Sequence, residues 1–245
     1  MRGALRQAKS MYDKVMFKLL VIDLLKLLKS NYSLYELSRM IDEPPSVISR
    51  YVNGRILPSD DKAEAMYRRL REIADIPELV RMKLTIDKNG FLNNQSLIGD
   101  ISVLRVAASA FVDKYRGRVD KVLSPATDGV PFATIMAELL NVPLVIAKTR
   151  REVGVKKFLE ISFTTEDGAV MTYYVDRSLI RSRDRILIVD DVIRTGRTHR
   201  SLIEMVRRAG ATVVGIVVLI VIGDRWKKEL KGENIDYILP IVGGG

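Results

Sequence analysis

Cysteine is absent from this chain, and histidine occurs once, as His199. The first absence excludes disulfides, thiolate nucleophiles and sulfur-ligated metals. The second excludes a multi-histidine metal site. Long apolar runs are missing too: residues 213–222 form the longest and fall well short of the roughly 20 needed to cross a bilayer. The opening "MRGALRQAKSMYDKVMFKLL" carries charges where a secretory leader needs an unbroken apolar core. A soluble, cytoplasmic chain with no membrane partner is the expectation.

What is present suffices for two domains, since 245 residues with 47% hydrophobic content can bury a sizeable core. Acidic residues are outnumbered, 30 against 40 basic ones, for a net charge of +10. That excess favours polyanions such as nucleic acid or phosphorylated metabolites. Divided after Thr85, the shorter N-terminal part holds 16 basic and 11 acidic residues and the remainder 24 and 19. The N-terminal part is therefore the more basic per residue, and Arg2, Arg6 and Lys9 at its start are candidates for tracking phosphates.

Two textures divide the chain. Up to about residue 76, apolar residues recur at helical spacing: Leu24, Leu25, Leu27 and Leu28, then Leu34, Leu37, Met40 and Ile41. From Val119 onward, short apolar runs alternate with helical segments, the signature of βαβ units and a mostly parallel sheet covered on both faces. Pro77 interrupts the first pattern, and Asn89-Gly90 marks a turn. The expected fold is α/β: an all-helical domain over 1–76, a linker over 77–85 and a doubly wound parallel-sheet domain over 86–245. The run "TVVGIVVLIVI" reads as the last strand. Trp226 or Tyr237, beyond it, offers a surface on which a base could stack.

Ligands bind beyond the carboxyl ends of parallel strands, and two such ends carry unusual loops, "SPATDGVP" and "ILIVDDVIRTGRT". In the second, Asp190 and Asp191 are expected at an exposed strand end. Gly196 lets backbone approach a ligand, and the helix that follows aims free N–H groups and its positive dipole end at the same point. Thr195 and Thr198 supply hydroxyl donors, and Arg194 and Arg197 supply charge. A carboxylate pair beside a phosphate is useful only with sugar hydroxyls or a bridging Mg²⁺ between them. Phosphate at one end and hydroxyls at the other describes a ribose 5-phosphate. His199 reads as a first-turn helix residue beside the pocket, not a catalytic one.

A hydrophobic strand, Asp-Asp and Thr-Gly-x-Thr, spelled here "VDDVIRTGRT", resembles the phosphoribosyl pyrophosphate (PRPP) signature of the type I phosphoribosyltransferase family. The resemblance runs from about Ile86 to the C-terminus. It implies that Asp190 and Asp191 hold the ribose hydroxyls and that residues 194–198 hold the 5-phosphate. It implies also that Ala126, Thr127, Asp128 and Gly129 form the pyrophosphate loop, that Mg²⁺ binds with PRPP, and that the chain is a homodimer. Between the two loops a hairpin is expected around Glu166-Asp167-Gly168, corresponding to the family's closing loop. The orotate branch starts that loop with an Arg-Lys pair, whereas this chain has Ala147-Lys148. Lys148 is counted with the PRPP-binding residues, and Arg150, Arg151, Lys156 and Lys157 add charge. No catalytic residue and no protein-borne metal site are assigned.

Residues 33–55, "SLYELSRMIDEPPSVISRYVNGR", read as helix, turn, helix, with Ser33 and Glu36 forming a capping box and Asn53-Gly54 ending the second helix. The stretch resembles the helix-turn-helix of the Cro and C1 phage repressor family, whose second helix enters the major groove. By that resemblance Pro45, Ser46 and Arg50 fall where bases are read, Ser49 shares the exposed face, and Arg55 falls on a backbone-contact position. Arg50 suits a guanine edge, while Pro45 departs from the usual amide-bearing residue.

Together these features resemble archaeal DNA-binding proteins built on a phosphoribosyltransferase-like domain. They imply a transcription regulator that binds double-stranded DNA and senses PRPP or a nucleotide, controlling nucleotide metabolism genes. The alternative is an active purine or pyrimidine phosphoribosyltransferase with an N-terminal regulatory or oligomerisation domain. RNA binding by the same fold is a third reading.

Overall fold

A computed structural model describes residues 10–87, 92–165 and 168–242. The basic residues Arg2, Arg6 and Lys9, the Asn89-Gly90 turn and the Glu166-Asp167 turn positions lie outside them.

The chain opens with five helices: α1 (Met11–Leu28), α2 (Leu34–Ile41), α3 (Pro45–Val52), α4 (Asp60–Ile73) and α5 (Ile76–Arg81). Local chemistry sets their starts. Ser10 and Asp13 form a capping box on α1, and Ser33 and Glu36 form the expected one on α2. Each satisfies two backbone donors that the first turn leaves without partners. Asp42 turns the chain out of α2 in the left-handed conformation, and Gly54, at φ +66°, does so after α3. Leu20, Val21, Leu24, Leu25 and Leu28 of α1 are buried with Leu37 and Ile41 of α2 and Ile48 and Tyr51 of α3. Charge pins the same bundle: Lys14 and Lys18 of α1 reach Asp60 in the first turn of α4, at 2.9 and 2.7 Å.

Next come the short pair β1 (Thr85–Ile86) and β2 (Leu92–Asn93), then α6 (Gln95–Ile98) and α7 (Ile101–Tyr115). The stretch 77–85, read as a linker, carries most of α5, whose Leu79 and Val80 are buried.

The remainder alternates as the sequence suggests: β3 (Lys121–Pro125), α8 (Val130–Leu140), β4 (Leu144–Ala147), a hairpin of β5 (Phe158–Thr164) and β6 (Val170–Asp176), then β7 (Arg185–Ile193), α9 (Arg197–Arg208), β8 (Thr212–Ile222), α10 (Arg225–Glu229) and β9 (Ile235–Ile241). Five strands form a parallel sheet in the order β4-β3-β7-β8-β9. The expectation that β8 is the last strand is corrected, because β9 pairs with it along the sheet edge. Pro240 inside β9 lacks a backbone donor, which an edge strand tolerates.

Side chains alternate across the sheet. Leu187, Val189, Val217 and Leu219 enter the core shared with α1, α7 and α8, while Ile186, Ile188, Ile216 and Val218 enter the core beneath α9 and the hairpin. The first core is continuous with that of the N-terminal helices, so α1 packs directly on α7. Strand order reverses between β3 and β7, and the two unusual loops leave the carboxyl ends of those neighbouring strands. Such a reversal opens a crevice where ligands of open α/β sheets bind.

Candidate functional site

At that crevice lies an open cavity of about 250 Å³ lined by Pro125, Ala126, Thr127, Asp128, Tyr173, Asp190, Asp191 and Thr198. Six of the twelve residues singled out as PRPP-binding line it: Ala126, Thr127, Asp128, Asp190, Asp191 and Thr198. Gly129 sits behind the lining, against β7. A β-carbon there would stand 2.9 Å from the Asp190 Cα and closer still to its carboxylate, so only glycine lets the loop lie on that strand.

Asp190 and Asp191 are not at an exposed strand end. β7 continues to Ile193 because β8 pairs with it as far as Val221, and the two residues are only 7% and 9% exposed. Burial raises the pKa of both, and for Asp191 the neighbouring Asp190 charge raises it further. The Asp190 Oδ1 accepts the backbone N–H of Asp191 at 2.9 Å. The Asn94 Nδ2 donates to the Asp191 Oδ2 at 2.5 Å.

His199 lies in the first turn of α9 beside the pocket, as read, and is 2% exposed. Its Nε2 is 3.1 Å from the Asp190 Oδ2 but is not aligned for a hydrogen bond, and finds no partner among the described residues. Burial lowers its pKa to about 4, so the ring is neutral.

Gly196, at φ +83°, stands at the N-cap of α9 with no side chain to cap it; the Arg197 N–H donates to the Thr195 Oγ1 at 3.5 Å. A β-carbon on Gly196 would meet the Leu230 side chain at 3.0 Å. Thr195 is half-buried and Arg194 exposed. The Arg197 guanidinium is engaged elsewhere: its Nη1 donates to the carbonyls of Thr164 and Thr165 at 3.2 and 3.0 Å, tying α9 to the hairpin. Lys148 is ion-paired with Glu152, and its backbone bridges to Tyr174.

Two residues at the pocket escaped the sequence reading, Tyr173 from β6 and Asn94 from the turn before α6. Tyr173 is 5% exposed, and burial, then the Asp190 charge, raises its pKa. Alternation within "VMTYYVD" says only that one of Tyr173 and Tyr174 faces inward. Trp226 and Tyr237, offered for base stacking, are not in the cavity lining. The Trp226 indole is buried under its own turn, donating to the Gly223 carbonyl at 2.9 Å, and meets Tyr237 edge-on.

On the N-terminal side, Ile48 and Tyr51 turn inward while Pro45, Ser46, Arg50 and Arg55 are exposed and Ser49 is half-buried. The Ser49 hydroxyl accepts from the Asn53 Nδ2 at 3.3 Å. Glu43, buried in the turn, is held by Lys62 of α4 at 2.7 Å, which fixes the pose of α3.

A family model for the phosphoribosyl transferase domain matches residues 95–241, and a helix-turn-helix model matches residues 24–72. A xanthine phosphoribosyltransferase of Geobacillus thermodenitrificans (strain NG80-2) is 35% identical over 141 residues, which cover 56% of this chain and 70% of that protein. One from Alkaliphilus metalliredigens (strain QYMF) is 28% identical over 182 residues, covering 70% and 84%. Among solved structures, an adenine phosphoribosyltransferase of Thermoanaerobacter pseudethanolicus is similar at TM-score 0.61 and 20% identity, covering 67% of this chain and 99% of that one.

Proposed function

The chain belongs to the phosphoribosyl transferase domain family and carries a helix-turn-helix ahead of that domain, and from this premise we propose that it is a DNA-binding transcription regulator whose pocket senses PRPP or a nucleotide. The observation that carries the reading is the exposed face of α3, where Pro45, Ser46 and Arg50 stand free of the core with Arg55 just beyond. Phosphoribosyl transfer has no use for such a face, whereas a major groove does.

In the pocket, Asp190 and Asp191 take the ribose hydroxyls. Residues 126–129 take the pyrophosphate, and the open first turn of α9 with Thr195 and Thr198 takes the 5-phosphate. No group of three or more His, Cys, Asp or Glu suited to a metal occurs among the described residues. The carboxylates of Asp128, Asp190 and Asp191 are nonetheless the hard oxygen donors that Mg²⁺ accepts beside phosphate, and a cation there would offset the burial and, after it, the like charge that raise the pKa of the pair. Mg²⁺ brought with PRPP would neutralise pyrophosphate charge.

The working form we propose is a homodimer whose two recognition helices sit about one DNA turn, roughly 34 Å, apart. A continuous path supports coupling of the pocket to that spacing. α8 starts directly after residues 126–129, and its Glu138 pairs with Arg105 of α7 at 3.2 Å. Arg105 also holds Asp23 of α1 at 3.0 Å, and α1 packs against α3 and α4. A ligand shifts DNA affinity only by its differential affinity for two arrangements, typically about 1–3 kcal/mol.

The second reading, an active phosphoribosyltransferase, is favoured by the xanthine phosphoribosyltransferases the chain resembles. The two separate cleanly. Retention on duplex DNA with steep salt dependence, without product from PRPP and a panel of purine and pyrimidine bases, is the regulator's result. Base consumption with no duplex retention would reverse the assignment.

A further inference from the structure

Asn93 and Asn94 are adjacent asparagines at the turn into α6, and they do different work. The Asn93 Oδ1 accepts the backbone N–H of Gln95 at 2.9 Å, a local turn bond. Asn94 occupies the N-cap position, where asparagine is among the preferred residues because its side chain can accept from the helix's first turn. Its side chain makes no such bond. The carboxamide reaches instead across 97 positions of sequence to the Asp191 Oδ2, at 2.5 Å, and the residue is 9% exposed.

A buried amide that forgoes its local cap for a distant carboxylate orients that carboxylate. Holding one oxygen of Asp191 fixes the plane of the group, and so the direction in which its remaining lone pairs face the cavity. Asp190 is set by a different bond, from the backbone N–H of Asp191. The two acids are thus held from two separate parts of the chain. Vicinal sugar hydroxyls need both in register, whereas a diphosphate on residues 126–129 makes no direct bond to either acid and meets them only through a shared cation, which tolerates a turned carboxylate.

We propose that Asn94 is a positioning residue that makes the pocket select phosphorylated riboses over bare diphosphates, by locking the carboxylate of Asp191 in the orientation that accepts the ribose hydroxyls. This rests on the reading of the pocket as a PRPP site. Asn94 touches Asp191 and acts on the ligand through it.

The test is calorimetry on the full chain with Mg²⁺, titrating PRPP and, separately, inorganic pyrophosphate. Asn94→Leu keeps the branching and removes the donor. It should weaken PRPP by about tenfold, the loss expected when a hydrogen bond to a buried group is removed, while pyrophosphate affinity stays within about twofold of the parent. Asn94→Ala, which cannot overpack, carries the same expectation should the leucine variant not fold. Asn94→Ser, with a hydroxyl donor, should recover part of the PRPP affinity. Equal weakening of both ligands would mean that Asn94 only supports the loop, and would overturn the inference. So would PRPP affinity unchanged in both donorless variants. A parent protein that binds pyrophosphate but not PRPP would instead overturn the reading of the pocket, and this inference with it.

Discussion

Gly129 lies so tightly against Asp190 that a β-carbon on residue 129 would come within 2.9 Å of the Asp190 Cα. The loop proposed for pyrophosphate and the strand proposed for ribose are therefore seated on one another. Gly129→Ala forces one of them to move. The expected outcome is a PRPP affinity lowered by tenfold or more and a loss of about 1–3 kcal/mol in stability, as overpacked sites show. Calorimetry and denaturant unfolding check the two parts.

The empty pocket has a characteristic pH signature. Burial and the Asp190 charge keep the Asp191 carboxyl protonated up to about pH 8, whereas its ordinary pKa is 3.8. Across that window the folded protein keeps a proton the unfolded chain has lost, so stability falls as pH rises. Asp190, raised to about 6 by burial, adds to this trend at lower pH. His199 opposes it: burial lowers its pKa from 6.5 to about 4, so stability rises with pH between those values. Above about pH 6.5 the carboxyl acts alone, and the unliganded protein should lose up to about 1.4 kcal/mol per pH unit towards pH 8. Asp191→Asn should flatten that slope and be more stable than the parent at pH 8, while losing PRPP. Urea midpoints across pH 6.5 to 8 decide it, and an unaltered slope in the variant would contradict the assignment.

On the DNA side, Arg50 and Arg55 are both exposed, so replacing either leaves the fold intact. Arg50→Ala should cost about 1–3 kcal/mol at the preferred site and relax specificity there. Arg55→Ala should weaken all duplexes alike and reduce the salt slope by about one. Fluorescence anisotropy at several salt concentrations separates the two effects.

Arg105 joins α8, which follows the pocket loop, to α1 of the N-terminal bundle. Burial raises the pKa of Asp23, and Arg105 is the leading influence in the opposite direction. Both side chains are largely buried, at 14% and 13% exposure. Arg105→Met leaves Asp23 to the Ser102 hydroxyl at 3.3 Å and Lys26 at 3.9 Å, and should destabilise the protein by about 1–3 kcal/mol. At permissive temperature the variant should still bind both PRPP and DNA, with the effect of one on the other diminished.

The legible parts were those written in local chemistry. The Ser33–Glu36 box and the Gly54 turn follow from spacing, and the two loops follow from strand–loop–helix order. What stayed hidden depends on partners far away in sequence. Asp190 and Asp191 look like a strand terminus until β8 is seen to pair beyond them. Ile235–Ile241 is masked by Pro240 and by charged neighbours, and becomes a strand only because the edge of β8 is open to it. The role of Arg197 shifts because the hairpin carbonyls at Thr164 and Thr165 come within its reach. Asn94 stands at the N-cap position of α6, and no periodicity connects it to Asp191.

The central claim, that one chain uses a phosphoribose pocket to control a duplex-reading helix, is met most directly by duplex-DNA binding titrated in the presence and absence of PRPP and nucleoside monophosphates. The account predicts a five- to 150-fold shift in DNA affinity with at least one of these ligands, the range of about 1–3 kcal/mol of coupling, abolished in Asp190→Asn/Asp191→Asn. DNA affinity identical at all ligand concentrations, in a protein that demonstrably binds PRPP, would contradict it.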